Sequence, residues 1–228
     1  MSILTDFLNL FYPKTCEACG NILLKNENFL CTRCLAELPY TNYHKMPDNP
    51  IEKLFWGRIF IFSATSLFKF HKKSRYQKLI HKLKYQGKKE IGFFLGQLFA
   101  YEIKNHPKYN DLDFIIPVPL HPKRYKERGY NQAEWIALGI ADILKTKVST
   151  DNLYRKIATQ TQTKKSRLER WKNVSSIFDL KNPEQFKNKH ILLVDDVITT
   201  GSTLESCAET LQTRAKNIKI SIGTIAVA

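Results

Sequence analysis

The apolar positions change period several times along the chain. Arg58 to Phe70 is rich in β-branched and aromatic residues with stretches of alternation, which predicts a strand. Lys73 to Lys84 carries Tyr76, Leu79, Ile80 and Leu83 at helical spacing, and Ile91 to Ile103 repeats that spacing. Asp113 to Val118 reads as a buried strand running into a Pro-stiffened loop. Asn131 to Leu144 predicts a helix on Trp135, Leu138, Ile140, Ala141 and Leu144. Ile191 to Val194 is a wholly apolar strand, Leu204 to Leu211 lies on a helix, and Ile218 to Val227 is a closing strand. Strands alternating with helices predict an α/β fold, a mostly parallel sheet flanked by helices. Ahead of it, residues 1–38 form a small cysteine-bearing module and residues 39–54, rich in Pro and Asn, a linker. The α/β domain is expected over residues 55–228. Met1 to Phe11 is apolar around Asp6 and is expected as a short amphipathic helix docked on the body, not a signal peptide.

Charge adds a constraint. The 228 residues include 36 Lys and Arg against 21 Asp and Glu, a net charge of +15, which favours polyanionic partners. No apolar run approaches the roughly 18–20 residues that span a bilayer. Four of the five cysteines are clustered, unlike a secreted disulfide scaffold, so a reducing cytoplasm is the expected compartment.

Cys16-Glu17-Ala18-Cys19 and Cys31-Thr32-Arg33-Cys34 are two C-x-x-C knuckles. Thiolates at that spacing take adjacent corners of a tetrahedron, which points to a structural zinc ion on Cys16, Cys19, Cys31 and Cys34. A pair of disulfides and an iron–sulfur cluster are the alternatives. A segment this small buries little core, so the metal would supply its folding energy. Cys207, on a predicted helix, reads as a small core residue.

The most informative stretch is Ile191-Leu192-Leu193-Val194-Asp195-Asp196-Val197-Ile198-Thr199-Thr200-Gly201-Ser202-Thr203. An apolar strand delivers two acids, a small hydroxylated turn follows, and a helix begins. Ligands of open α/β sheets sit beyond the carboxyl ends of strands. Gly201 permits close approach of a phosphate, and the helix N-terminus favours an anion. Adjacent acids on a strand face opposite sides, so one suits ribose hydroxyls and the other either a hydrated divalent ion or bracing of the loop. Ser202 or Thr203 could instead serve as a helix cap. A second, basic loop follows the Asp113 strand and carries His121, Lys123, Arg124, Arg128 and Gly129, a plausible pyrophosphate cradle or simply a rigid connection.

With these residues the chain resembles the type I phosphoribosyltransferase superfamily. That resemblance implies that Asp195 and Asp196 meet ribose hydroxyls and Mg2+, and that Thr199, Thr200, Gly201, Ser202 and Thr203 wrap a 5′-phosphate. An acid at the position of Thr199 contacts the base in purine-salvage members, so a hypoxanthine/guanine enzyme is disfavoured. Ile116-Pro117-Val118-Pro119-Leu120, Arg128-Gly129-Tyr130-Asn131-Gln132, Lys84-Tyr85…Gly87, and the series Thr159, Gln162, Ser166, Arg170, Asn173, Val174 and Phe178 are similar to the ComF family of competence proteins. Ile116 and Trp171 depart from that family's usual residues. The resemblance implies binding of phosphoribosyl pyrophosphate with Mg2+. The polar, basic segment that carries Gln162, Ser166, Arg170 and Asn173 reads either as a lid that closes on an anion or, as its composition favours, as an exposed solvated loop. The resemblance further implies a role in uptake of single-stranded DNA during natural transformation, alongside other DNA-uptake proteins. The alternative is a metabolic phosphoribosyltransferase (a glycosyltransferase) acting on an unidentified base or amine, with no DNA role. Whether the site turns over, and which residues would be catalytic, stays open.

Lys69, Lys72, Lys73, Arg75 and Lys84 belong to a run of cations with no acid between them and with Phe70, Tyr76 and Tyr85 interleaved. Cations that track a phosphate backbone beside stacking aromatics suit single-stranded DNA. Aromatics facing a core under solvated lysines would look the same in sequence.

Overall fold

The computed structural model describes residues 13–71, 73–156 and 177–228. Lys72, the lid series from Thr159 to Val174 with Trp171, and the N-terminal apolar segment up to Tyr12 lie outside the described residues.

In chain order the described elements are α1 (Thr32–Ala36), α2 (Pro50–Lys53), β1 (Ser63–Lys69), α3 (Arg75–Tyr85), α4 (Lys89–Ile103), β2 (Phe114–Pro117), α5 (Pro122–Arg128), α6 (Gln132–Leu144), β3 (Lys147–Val148), β4 (Leu153–Arg155), β5 (Phe178–Leu180), β6 (His190–Ile198), α7 (Ser202–Arg214) and β7 (Lys219–Val227). Five strands form one sheet in the order β1-β7-β6-β2-β3, with every pair parallel. β4 and β5 pair antiparallel as a separate ribbon. Central β6 is buried along most of its length, which is why it reads as a continuous apolar run.

One face of the sheet is covered by α4 and α6. They approach closely through glycine: a Cβ on Gly139 would lie 2.0 Å from the Phe93 carbonyl oxygen, and one on Gly96 2.2 Å from that of Ile136. The opposite face packs on α7 and the β4–β5 ribbon, with Phe55, Phe178, Phe186, Leu204, Cys207 and Leu211 in one apolar cluster.

The expected linker is folded. Asn49 caps α2 in a reciprocal box with Glu52 and also donates to Ala64 O at 2.9 Å. Thr41 N donates to Leu67 O at 3.1 Å, and Lys69 N to Pro39 O at 2.9 Å. β1 is an edge strand, and this segment satisfies its outer backbone groups. Both faces of β1 are covered as well, with Ala64 in one apolar cluster and Leu67 and Phe68 in the other, so it is buried at six successive positions where alternation was expected.

The cysteine segment also joins the body. Cys16, Leu30, Cys34 and Leu38 share an apolar cluster with Leu67, Tyr76, Leu79 and Leu95. Tyr76 hydroxyl donates to Cys34 O at 3.0 Å, and Phe29 sits 5.3 Å from the ring of Phe94. Glu17, between two of the cysteines, receives Lys82 at 2.8 Å and Lys88 at 2.6 Å.

Candidate functional site

β6 runs on past the apolar stretch, so both acids lie inside the strand, paired to β7 as far as Ile198. Alternation then separates them. Asp196 turns toward α3, where its Oδ2 lies 3.2 Å from Lys84 Nζ. Asp195 turns toward α7, close enough for its charge to push the buried Cys207 thiol further up than burial alone does. Asp195 Oδ1 accepts from Asp196 N at 2.8 Å. Burial, then the charge of Asp196, raises the Asp195 carboxyl to about 7, with Lys84 and Arg124 opposing the rise.

The turn after β6 reaches α7 through Gly201, whose φ of +76° is the left-handed conformation that glycine adopts without strain. Gly201 is itself the N-cap residue, and no side chain caps α7. Ser202 and Thr203 therefore sit in the first turn and not at a capping position. Thr200 Oγ1 and Ser202 Oγ are 3.0 Å apart at the exposed lip of the turn. Amides and hydroxyls here surround a small hollow bounded by Asp195 and residues 197–204, the donor-rich concavity that suits a phosphate.

The second loop differs from expectation. Its basic residues form α5, with His121 as N-cap accepting from Lys123 N at 3.1 Å and Gly129 closing the helix at φ +78°. Pro122 at the first helical position favours that start. Arg128 points back, donating to Gln132 Oε1 at 2.7 Å with its guanidinium 5.3 Å from the ring of Tyr85. Asn131 caps α6 by accepting from Ala133 N at 3.2 Å and donates to Val118 O at 3.0 Å. The Arg-Gly-Tyr-Asn-Gln stretch thus ties α5 to α6, and its Arg128, Asn131 and Gln132 also face the cavity beside the acid pair.

Both loops meet at one cavity of about 720 Å³. Its wall brings together Asp195, Asp196, Thr199, Thr203, His121, Lys123, Arg124 and Arg128. Thr200, Gly201 and Ser202 line the adjoining hollow instead, and Gly129 ends α5 without joining the cavity wall. Lys84, expected on a DNA surface, is part of the cavity wall. Arg155 and Glu127 also line it and were not singled out from the sequence. Arg155 ends the three-residue strand β4, too short to show a usable periodicity, and its guanidinium stacks 5.3 Å from the Phe178 ring.

The remaining cations of the basic run are partly engaged. Tyr76 is buried in the core, Arg75 pairs with Glu37, and Lys69 lies 5.0 Å over the ring of Tyr43. The run lacks acids in sequence, yet Glu17 and Glu37 of the cysteine segment supply them in space. Lys73 remains exposed, with its backbone N–H on Gln77 Oε1 at 2.7 Å.

The four cysteine sulfurs lie within 4.8 Å of one another, a set that could hold a metal ion such as zinc. Cys16, Cys31 and Cys34 are buried and Cys19 is exposed. Cys31 N donates to Cys16 Sγ at 3.3 Å, and Arg75 Nη1 approaches Cys34 Sγ at 3.7 Å. Burial opposes ionisation of Cys16, but backbone N–H groups of Cys19, Cys31 and Ala18 outweigh it and lower the thiol to about 6. Burial and the neighbouring sulfurs push the Cys34 thiol up instead, so the fit to a metal rests on the closeness of the four sulfurs. The acid pair, in turn, offers the oxygen ligands that Mg2+ prefers.

A parallel α/β sheet with an acid pair at the end of its central strand, facing a hydroxylated turn and a helix N-terminus, defines a phosphoribosyltransferase-type domain. The chain matches the phosphoribosyl transferase domain family over residues 133–228. It is 30% identical over 200 residues to DNA utilization protein YhgH of Escherichia coli O6:H1, spanning 86% of this chain and 83% of that one. It is 32% identical to competence protein F of Haemophilus influenzae over 59% of this chain and 60% of that one, and 35% identical to competence protein ComFC of Bacillus subtilis over 51% and 46%. Among solved structures, a purine phosphoribosyltransferase from Pyrococcus horikoshii is 19% identical with a TM-score of 0.38, covering 61% of this chain and 73% of that one. The protein belongs to the ComF/YhgH family. No helix among the described residues is long and apolar enough to cross a membrane.

Proposed function

We infer that this protein binds phosphoribosyl pyrophosphate, or a 5-phosphoribose, together with Mg2+, and acts in the handling of single-stranded DNA during its uptake into the cytoplasm. The observation that carries the reading is the convergence of two loops, far apart in sequence, on one cavity floored by Asp195 and Asp196. In this reading residues 199–203 take the 5′-phosphate through amides and hydroxyls. Lys123 and Arg124 face the pyrophosphate, and the acids hold the ribose hydroxyls and the hydrated Mg2+. When bound, Mg2+ would neutralise the leaving pyrophosphate. The four cysteines hold structural zinc, a closed thiolate shell with no open position for chemistry.

The DNA half rests on the names of the relatives, which concern DNA utilization and competence. The net charge of +15 supports it. Lys73, with Lys69 and Arg75 beside it, is the surface assigned to the strand. Calorimetric titration with phosphoribosyl pyrophosphate and Mg2+ tests the site: wild type is expected to bind and the Asp195→Ala/Asp196→Ala variant to lose binding. Equal binding by both would remove the acid pair from the account.

A further inference from the structure

Asp196 is held by a specific cation. Its Oδ2 lies 3.2 Å from Lys84 Nζ, with side chains 11% and 22% exposed respectively. Among the described residues no other Lys or Arg forms an ion pair with either acid. The backbone that delivers Lys84 is braced on three sides. Leu83 O accepts the Tyr130 hydroxyl, Lys82 reaches Glu17 at 2.8 Å, and the Tyr85 ring sits 5.3 Å from the Arg128 guanidinium. A fixed backbone thus carries a flexible four-carbon stem ending in a point charge, and that stem also lines the cavity.

Two neighbouring carboxylates need a positive charge between or beside them. A divalent ion meets that need when bound, and the lysine meets it otherwise. We propose that Lys84 is the resident counter-cation of the acid pair. It holds Asp196 in the metal-free site, yields it to a divalent ion, and turns to a ligand phosphate once phosphoribosyl pyrophosphate is bound. The last step rests on the phosphoribose reading above; the exchange with metal does not. Lys84 is then a positioning residue, and one side chain serves both the resting and the loaded site.

The consequence is a split that a purely structural lysine would not give. Without sugar phosphate, Mn2+ measured by paramagnetic resonance should bind Lys84→Met and Lys84→Gln about tenfold more tightly than wild type, since the competing charge is gone. Lys84→Arg should stay near wild type. With saturating Mg2+, Lys84→Met should bind phosphoribosyl pyrophosphate about tenfold more weakly. Thermal melts confirm folding, and Lys84→Gln decides the metal arm if the Met variant does not fold. Mn2+ affinity of these variants equal to or below wild type overturns the exchange. Phosphoribosyl pyrophosphate affinity unchanged in Lys84→Met overturns the transfer to phosphate. Absence of phosphoribosyl pyrophosphate binding by wild type would defeat the phosphoribose reading and with it that transfer, and the Mn2+ arm would still decide the exchange.

Discussion

Replacing Gly201 with alanine would place a Cβ 3.1 Å from Phe55 Cζ and 3.2 Å from Phe55 Cε1, on a backbone at φ +76°. Two costs combine. The left-handed conformation costs a non-glycine residue about 1–2 kcal/mol. Phe55 is fully buried and packed among Ile198, Leu204 and Phe186, so its retreat meets core resistance of about 1–2 kcal/mol more. Gly57 isolates the first cost, because its φ is +72° and nothing lies within 4 Å of a built Cβ. Gly57→Ala should therefore lose about 1–2 kcal/mol and Gly201→Ala about 2–4 kcal/mol, the latter lowering Tm by roughly 4–16 °C at this chain length. Urea unfolding at matched m-values reads the difference directly. Gly201→Ala should in addition weaken phosphate binding, since the alanine displaces the turn whose amides face the hollow. Equal losses for the two variants would show that Phe55 yields freely, and the argument that the core props the turn would fail.

Three further outcomes follow from the same geometry. His44 is buried and held neutral by desolvation, then by Lys45 and His106, which lower it from 6.5 to about 4. The unfolded chain takes up that proton first, so stability should fall as pH drops from 6.5 toward 4, by up to about 1.4 kcal/mol per unit. A His44→Phe variant should flatten that slope in acid titration followed by circular dichroism. Glu17 is lowered by Lys82 and Lys88 against its own burial, so Glu17→Gln strands two half-buried ammonium groups and should cost about 1–2 kcal/mol in urea. Metal analysis should find one zinc per chain in wild type and none in Cys31→Ser/Cys34→Ser, with chelation loosening the packing of Tyr76 on Cys34 O as seen in tyrosine fluorescence.

The parts of the fold that could be read from sequence are those where one physical signal dominates. β6 announces itself because both its faces are covered, and α3 because Tyr76, Leu79, Ile80 and Leu83 fall on one buried stripe. The residues of the turn from Thr199 to Thr203 are contiguous, so their hydroxyls and glycine are visible before any folding. What escaped depends on partners distant in sequence. Lys84 looked like part of a basic surface because Asp196 is more than a hundred positions away. Arg75 looked unpaired because its acid, Glu37, belongs to the cysteine segment. Residues 39–54 looked like a linker because their work is side-chain and backbone bonding to an edge strand, which leaves no periodicity. α5 was missed because, at seven residues and with none buried, it has no apolar stripe to reveal it.

The central claim is that two loops cradle a pyrophosphorylated ribose over the acid pair, and a crystal structure with Mg2+ and phosphoribosyl pyrophosphate tests it most directly. The account predicts the 5′-phosphate among the amides of residues 199–203, the ribose hydroxyls on Asp195 and Asp196, and the pyrophosphate beside Lys123 and Arg124. A folded protein whose cavity stays empty at saturating ligand, or that orders the ligand away from the acid pair, would contradict it.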